Sequence, residues 1–134
     1  MQNAECKMRA TMKENAVADK SFEFAVRIVK LYKYLVQEHK EYVLSKQLLR
    51  CGTSIGANIA EAQRGQSKAD FTAKMSIALK EANETDYWLR LMYATEYLTE
   101  QEFESLSKDN KEIISILVAI TKTTKQRRNA VVFC

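Results

Sequence analysis

Between Lys20 and Lys125 the apolar positions recur at intervals of three and four, the period of an α-helix. The pattern is interrupted three times, so it predicts four helices. The first runs from about Ser21 to Glu38. Its polar positions, Lys20, Glu23, Arg27, Lys30, Lys33 and Gln37, form one narrow stripe. Phe22, Phe24, Ala25, Val26, Ile28, Val29, Leu31, Tyr32, Leu35 and Val36 fill the rest. A surface helix of a monomer shows about half its circumference to water. This one has more apolar surface than that, so either it is covered on two sides within the chain or its second face meets another chain. The cations of the stripe, Arg27, Lys30 and Lys33, read as a solvated face or as a ridge facing phosphates.

His39-Lys40-Glu41 makes the first turn, and the second helix runs from Tyr42 or Val43 to Gln63. Leu44, Leu48, Cys51, Ile55, Ile59 and Ala62 share one face of it, a core stripe. Beside them lie Gly52, Gly56 and Ala60, four residues apart. Each glycine costs a helix interior about 1 kcal/mol relative to alanine. Two at this spacing flatten one side so that a neighbouring backbone can come close. Opposite runs a polar ridge of Gln47, Arg50, Ser54, Asn58 and Glu61. It fits a solvent face, a hydrogen-bond network between helices or a ligand site.

Gly65 is placed to end the second helix as a C′ residue. Ser67 with Asp70 reads as a capping box opening a third helix that reaches about Glu96. Phe71, Met75, Ala78, Ala82, Leu89 and Tyr93 line one face of that helix, and Ile77, Trp88 and Leu91 a second. Trp88 is thus either core or an oligomer anchor. Thr99 with Glu102 makes another capping box. The fourth helix, to about Lys125, carries Leu106, Ile113, Ile114, Leu117, Ile120 and Thr124, with Asn110 interrupting the stripe. Lys122, Lys125, Arg127 and Arg128 crowd its end, where the helix dipole favours cations. The reading is therefore an all-α chain: an N-terminal extension over 1–19, disordered at first and helical from near Val17, a helical bundle over 20–125 and a tail over 126–134.

Composition agrees. The 134 residues suit one domain, and with no proline and three glycines the chain lacks the turn residues of a sandwich or barrel. A net charge of +4 is weak support for a polyanionic partner. Cys6, Cys51 and Cys134 have no metal spacing and suit free thiols in a reducing cytoplasm. Neither an apolar leader nor a membrane-length apolar run is visible, so no membrane is expected. With a single histidine, the usual ferritin-like and Ser-His-Asp arrangements are unavailable. No phosphate-binding glycine loop occurs, and Gly52 and Gly56 lie mid-helix, where backbone amides are not free. No enzyme activity, metal or cofactor is expected.

Two segments carry a resemblance. Ser54-Ile55-Gly56-Ala57-Asn58-Ile59-Ala60-Glu61 and Lys80-Glu81-Ala82-Asn83-Glu84-Thr85-Asp86-Tyr87-Trp88-Leu89, with Phe22 to Tyr34 before them, resemble the bacterial four helix bundle protein family, also called the 23S ribosomal RNA intervening-sequence protein family. The likeness spans about Asp19 to Lys125; where the family has glycine after the Asn-Ile-Ala-Glu run, this chain has Ala62. The resemblance implies an antiparallel up-and-down four-helix bundle that assembles as a homo-pentamer. It names no activity. The similar accessory variability determinants work with a reverse transcriptase and bind nucleic acid. By that likeness Arg27, Lys30, Lys33, Lys122, Lys125, Arg127 and Arg128 are candidates to bind RNA or DNA. The expected function is a non-enzymatic homo-oligomeric scaffold of this kind, or alternatively a protein-interaction module without nucleic acid.

Overall fold

The structure is a computed structural model that describes residues 4–129, apart from the side chains of 6, 7, 10 and 124–129. Four helices make it up: α1 (Ala4–His39), α2 (Leu44–Gln63), α3 (Lys68–Ala94) and α4 (Glu100–Asn129). Each packs on its neighbours in sequence, and α4 closes the ring against α1, which is an antiparallel up-and-down bundle.

α1 begins at Ala4, well ahead of the expected Ser21, and so takes in residues read as a disordered extension. Two features account for this. The segment is rich in Ala, Met, Lys and Glu, all strong helix formers. It is also tied down: Val17 is fully buried, and the Gln63 side-chain amide of α2 donates to the Glu14 carbonyl over 3.4 Å. At the other terminus α4 continues past Lys125 to Asn129. Cys134 and the apolar Val131-Val132-Phe133 lie outside the described residues, as do the side chains of Cys6 and Thr124.

The core is drawn evenly from the four helices. Phe24, Ile28 and Leu35 of α1 meet Leu48, Ile55 and Ile59 of α2, Met75, Leu89 and Met92 of α3, and Leu106, Ile113 and Leu117 of α4. Asn110 is buried within the α4 stripe and donates to the Ala82 carbonyl of α3 over 2.9 Å. That bond joins one level of α3 to one level of α4, a register contact between the helices.

The turns use specific chemistry. Lys40 adopts a left-handed φ of 53°, which turns the chain out of α1, and the Glu41 amide reaches back to the Leu35 carbonyl at 3.2 Å. Glu41 then opens α2: its carboxylate accepts from the amides of Val43, Leu44 and Ser45 at 3.1, 2.9 and 2.7 Å. Burial opposes ionisation of this carboxyl, but those amides and the Ser45 hydroxyl outweigh it and hold its pKa below the ordinary value. The capping box expected at Thr99 forms in full and the one expected at Ser67 by its first bond alone. Asp70 N–H donates to Ser67 Oγ, and Thr99 and Glu102 exchange both bonds of a capping box. Gly65 differs from expectation. Its φ is not positive, so it supplies no left-handed cap. A Cβ there would lie 3.1 Å from the Ala62 carbonyl oxygen, so glycine serves close approach at the end of α2.

Candidate functional site

The glycine side of α2 faces α1 of the same chain. A Cβ on Gly52 would stand 3.0 Å from two carbons of the buried Ile28 side chain, so the close packing expected there is real and intramolecular. Gly56 is different. A Cβ there would meet Ser21 no closer than 3.4 Å, an ordinary contact. Ala60, the third small residue, is exposed. Alanine at position 56 would therefore fit the single chain and favour the helix.

The outer side of α1 is the matching feature. Phe22 is 69% exposed and Val26 39%, on the side of the helix opposite Ile28 and Phe24, with Met8 and Met12 exposed further along it. Among the described residues nothing covers this second apolar face.

The polar ridge of α2 proves to be an exposed seam to α3. Arg50 pairs with Glu84 and, at 3.3 Å, with Glu81. Glu61 pairs with Lys74 at 2.7 Å. The Asn58 amide turns back to the Ser54 carbonyl at 2.8 Å. Trp88 lies half-buried against the core at this seam, and its indole N–H donates to Glu84 over 3.1 Å. That bond and Arg50 lower the Glu84 pKa against a smaller desolvation effect. Exposed pairs of this kind contribute ~0–1 kcal/mol each, so the seam aligns helices more than it stabilises them. Behind it, burial pushes the Cys51 thiol up to about 11, leaving it protonated and unreactive at neutral pH.

The seven candidate nucleic-acid residues do not form one patch. Arg27 is engaged within the fold, donating to Asp109 at 2.5 Å and to Ser105 Oγ at 2.8 Å. Lys30 and Lys33 are exposed on the outer side of α1. Lys122 is exposed at the far end of the molecule: the Lys20–Glu112 pair sets α1 against α4, and from it Lys30 and Lys122 run in opposite directions, about 30 Å apart along the axis. Lys125, Arg127 and Arg128 follow Lys122 in α4, with side chains outside the described residues.

Charge is instead segregated by end. Residues 4–20, 57–74 and 111–129 converge at the end where α1 and α3 begin and α2 and α4 finish. They hold twelve of the 21 Lys and Arg but six of the 17 Asp and Glu. Arg9, Lys13, Arg64, Lys68, Lys111 and Lys122 are exposed there and form no ion pair among the described residues. Arg9, Lys13, Arg64, Lys68 and Lys111 were not singled out by sequence reasoning, because their convergence comes from helices far apart in the chain. The other end is aromatic. His39 stands edge-on between Tyr34 and Tyr97 at 5.3 and 5.9 Å, and Tyr93 stacks on Phe103 at 4.7 Å.

Among the described residues no group of three or more His, Cys, Asp or Glu is placed to hold a metal, and no helix is long and apolar enough to cross a membrane. A comparison with curated proteins gave no match. Among solved structures the chain is similar to a protein of unknown function from the S23 ribosomal protein family of Bacteroides thetaiotaomicron. The two are 62% identical, the match covers 83% of this chain and 99% of that one, and the TM-score is 0.82. The profile described as 23S rRNA-intervening sequence protein matches residues 13–119. With that match over most of its length, and the fold to go with it, the chain belongs to the 23S rRNA-intervening sequence protein family.

Proposed function

We propose that the protein is a non-enzymatic, homo-oligomeric helical scaffold of the cytoplasm that holds RNA or DNA at the basic end of its bundle. The observation that supports nucleic-acid binding is the segregation of charge. Six of the cations that converge there, Arg9, Lys13, Arg64, Lys68, Lys111 and Lys122, are exposed and form no ion pair among the described residues, whereas Arg27 of the expected ridge is engaged with Asp109. Weak phosphate contacts repeated by symmetry add up through effective concentration. Self-association is supported by Phe22 and Val26 on the side of α1 that no described residue covers. A pentamer is the stoichiometry the family resemblance implies.

Two measurements test this. Multi-angle light scattering at micromolar concentration is expected to give an oligomer, and a monomer would end the scaffold reading. In an anisotropy titration the double variant Lys13→Glu/Lys122→Glu is expected to weaken nucleic-acid binding by tenfold or more, while Lys30→Glu/Lys33→Glu changes it little. Equal losses would move the site to the α1 ridge. The apolar strip of α1 also favours a second reading, a protein-interaction module with no nucleic-acid role. A nuclease-resistant protein partner, together with no binding of nucleic acid at low salt, would establish that reading instead.

A further inference from the structure

This inference rests on the reading that the basic end takes nucleic acid, and concerns which form it takes. We propose that this end engages the phosphate backbone alone, so that it takes a duplex at least as well as a single strand and without regard to base.

The distribution of aromatic side chains carries the argument. Proteins that hold single strands pair a basic groove with exposed aromatic rings on which bases stack. Here the two properties occupy different ends of the molecule. The three segments that build the basic end contain one aromatic residue, Phe71, and it is half-buried against the core. The Tyr34–His39–Tyr97 row and the Tyr93–Phe103 stack lie at the opposite end, where Glu96, Glu100, Glu102 and Glu104 surround them. One exposed ring, Phe22, stands two residues past Lys20; under the scaffold reading its side of α1 is taken by self-association, which leaves a strand bound among the cations without a stacking platform among the described residues.

Base reading in a duplex has its own requirement: one helix or ribbon presents a row of side chains inside a groove. The exposed cations here come from separate helices, Arg9 and Lys13 from α1, Lys68 from α3 and Lys111 and Lys122 from α4. That arrangement spreads point charges over an area instead of aligning them in a row. Such a surface responds to charge density, which is higher along a duplex than along a single strand.

The full-length protein would be titrated against labelled duplex DNA and duplex RNA about 20 base pairs long, and against oligo(dT) and oligo(dC) of that length, from about 50 to about 200 mM salt. The duplexes are expected to bind as tightly as the single strands or tighter, the two oligonucleotides to agree within about twofold, and log K to fall linearly with log salt. A single strand bound several-fold tighter than the duplexes, or several-fold discrimination between oligo(dT) and oligo(dC), would overturn this inference and leave the nucleic-acid reading standing. No binding of any probe at the lowest salt would overturn the nucleic-acid reading itself.

Discussion

Gly52 and Gly56 sit one turn apart on the same helix and answer to different neighbours. Gly52 lies against the buried Ile28 of α1, closer than a Cβ normally tolerates. Gly56 has room for a methyl group within its own chain. A glycine in a helix interior costs about 1 kcal/mol against alanine. At Gly52 that cost is offset by tight α1–α2 packing. At Gly56 the methyl group would meet Ser21 of α1 at an ordinary 3.4 Å, so no comparably tight contact among the described residues offsets the cost. One spacing thus meets the same neighbouring helix tightly at one position and with ordinary clearance at the next.

Four experiments test that contrast, beginning with the largest effect. Ile28→Ala is expected to destabilise the protein by about 2–5 kcal/mol, as burial of the isoleucine is lost and a cavity is left. In that background Gly52→Ala should cost nothing further, a coupling that a double-mutant cycle in denaturant would measure. Additive losses would mean that Ile28 is not what position 52 answers to. The thiol of the adjacent Cys51 reports the inner surroundings through pH. Its pKa is raised from 9.0 to about 11, so the stability it contributes is present below pH 9 and lost as pH rises through 11. A shift of that size corresponds to up to ~2.7 kcal/mol. Melts between those pH values should fall more steeply for the native chain than for Cys51→Ala.

Gly52→Ala alone should destabilise by about 1–3 kcal/mol of overpacking, reduced by the gain in helix propensity. Smallest is Gly56→Ala, expected to raise the stability of the single chain by up to ~1 kcal/mol. If Gly56→Ala destabilised as strongly as Gly52→Ala, the contrast between the two positions would disappear.

Much of the bundle was legible because its signals are local. The core stripes of α2 and α4 and the caps at Ser67 and Thr99 depend on residues three and four apart, and the structure has them among the described residues, the box at Ser67 by its first bond alone. The start of α1 was missed because residues 4–16 carry no apolar stripe. Their propensity is high, and Val17 with the Gln63–Glu14 bond anchors them, but that bond joins residues far apart in sequence. The cap from Glu41 was missed for another reason. It stands outside the usual N-cap position and reaches three amides only because Lys40 turns the backbone. Gly65 had the right place for a C′ residue and the wrong conformation.

By itself the sequence determined that the chain is helical, where most helices end and which stripes of α2 and α4 are buried, because helical periodicity and capping act within one or two turns. Tertiary structure decided which surfaces are left over. It bonded Arg27 to Asp109, separated Lys30 from Lys122, gathered the cations of four helix ends, and turned the ridge of Arg50 and Glu61 into a seam with α3. Each of those outcomes depends on distances between residues tens of positions apart. Helical spacing carries no information about them until the helices pack. The same holds for the two glycines: their spacing was plain in the sequence, and only the position of Ile28 and Ser21 on α1 told them apart.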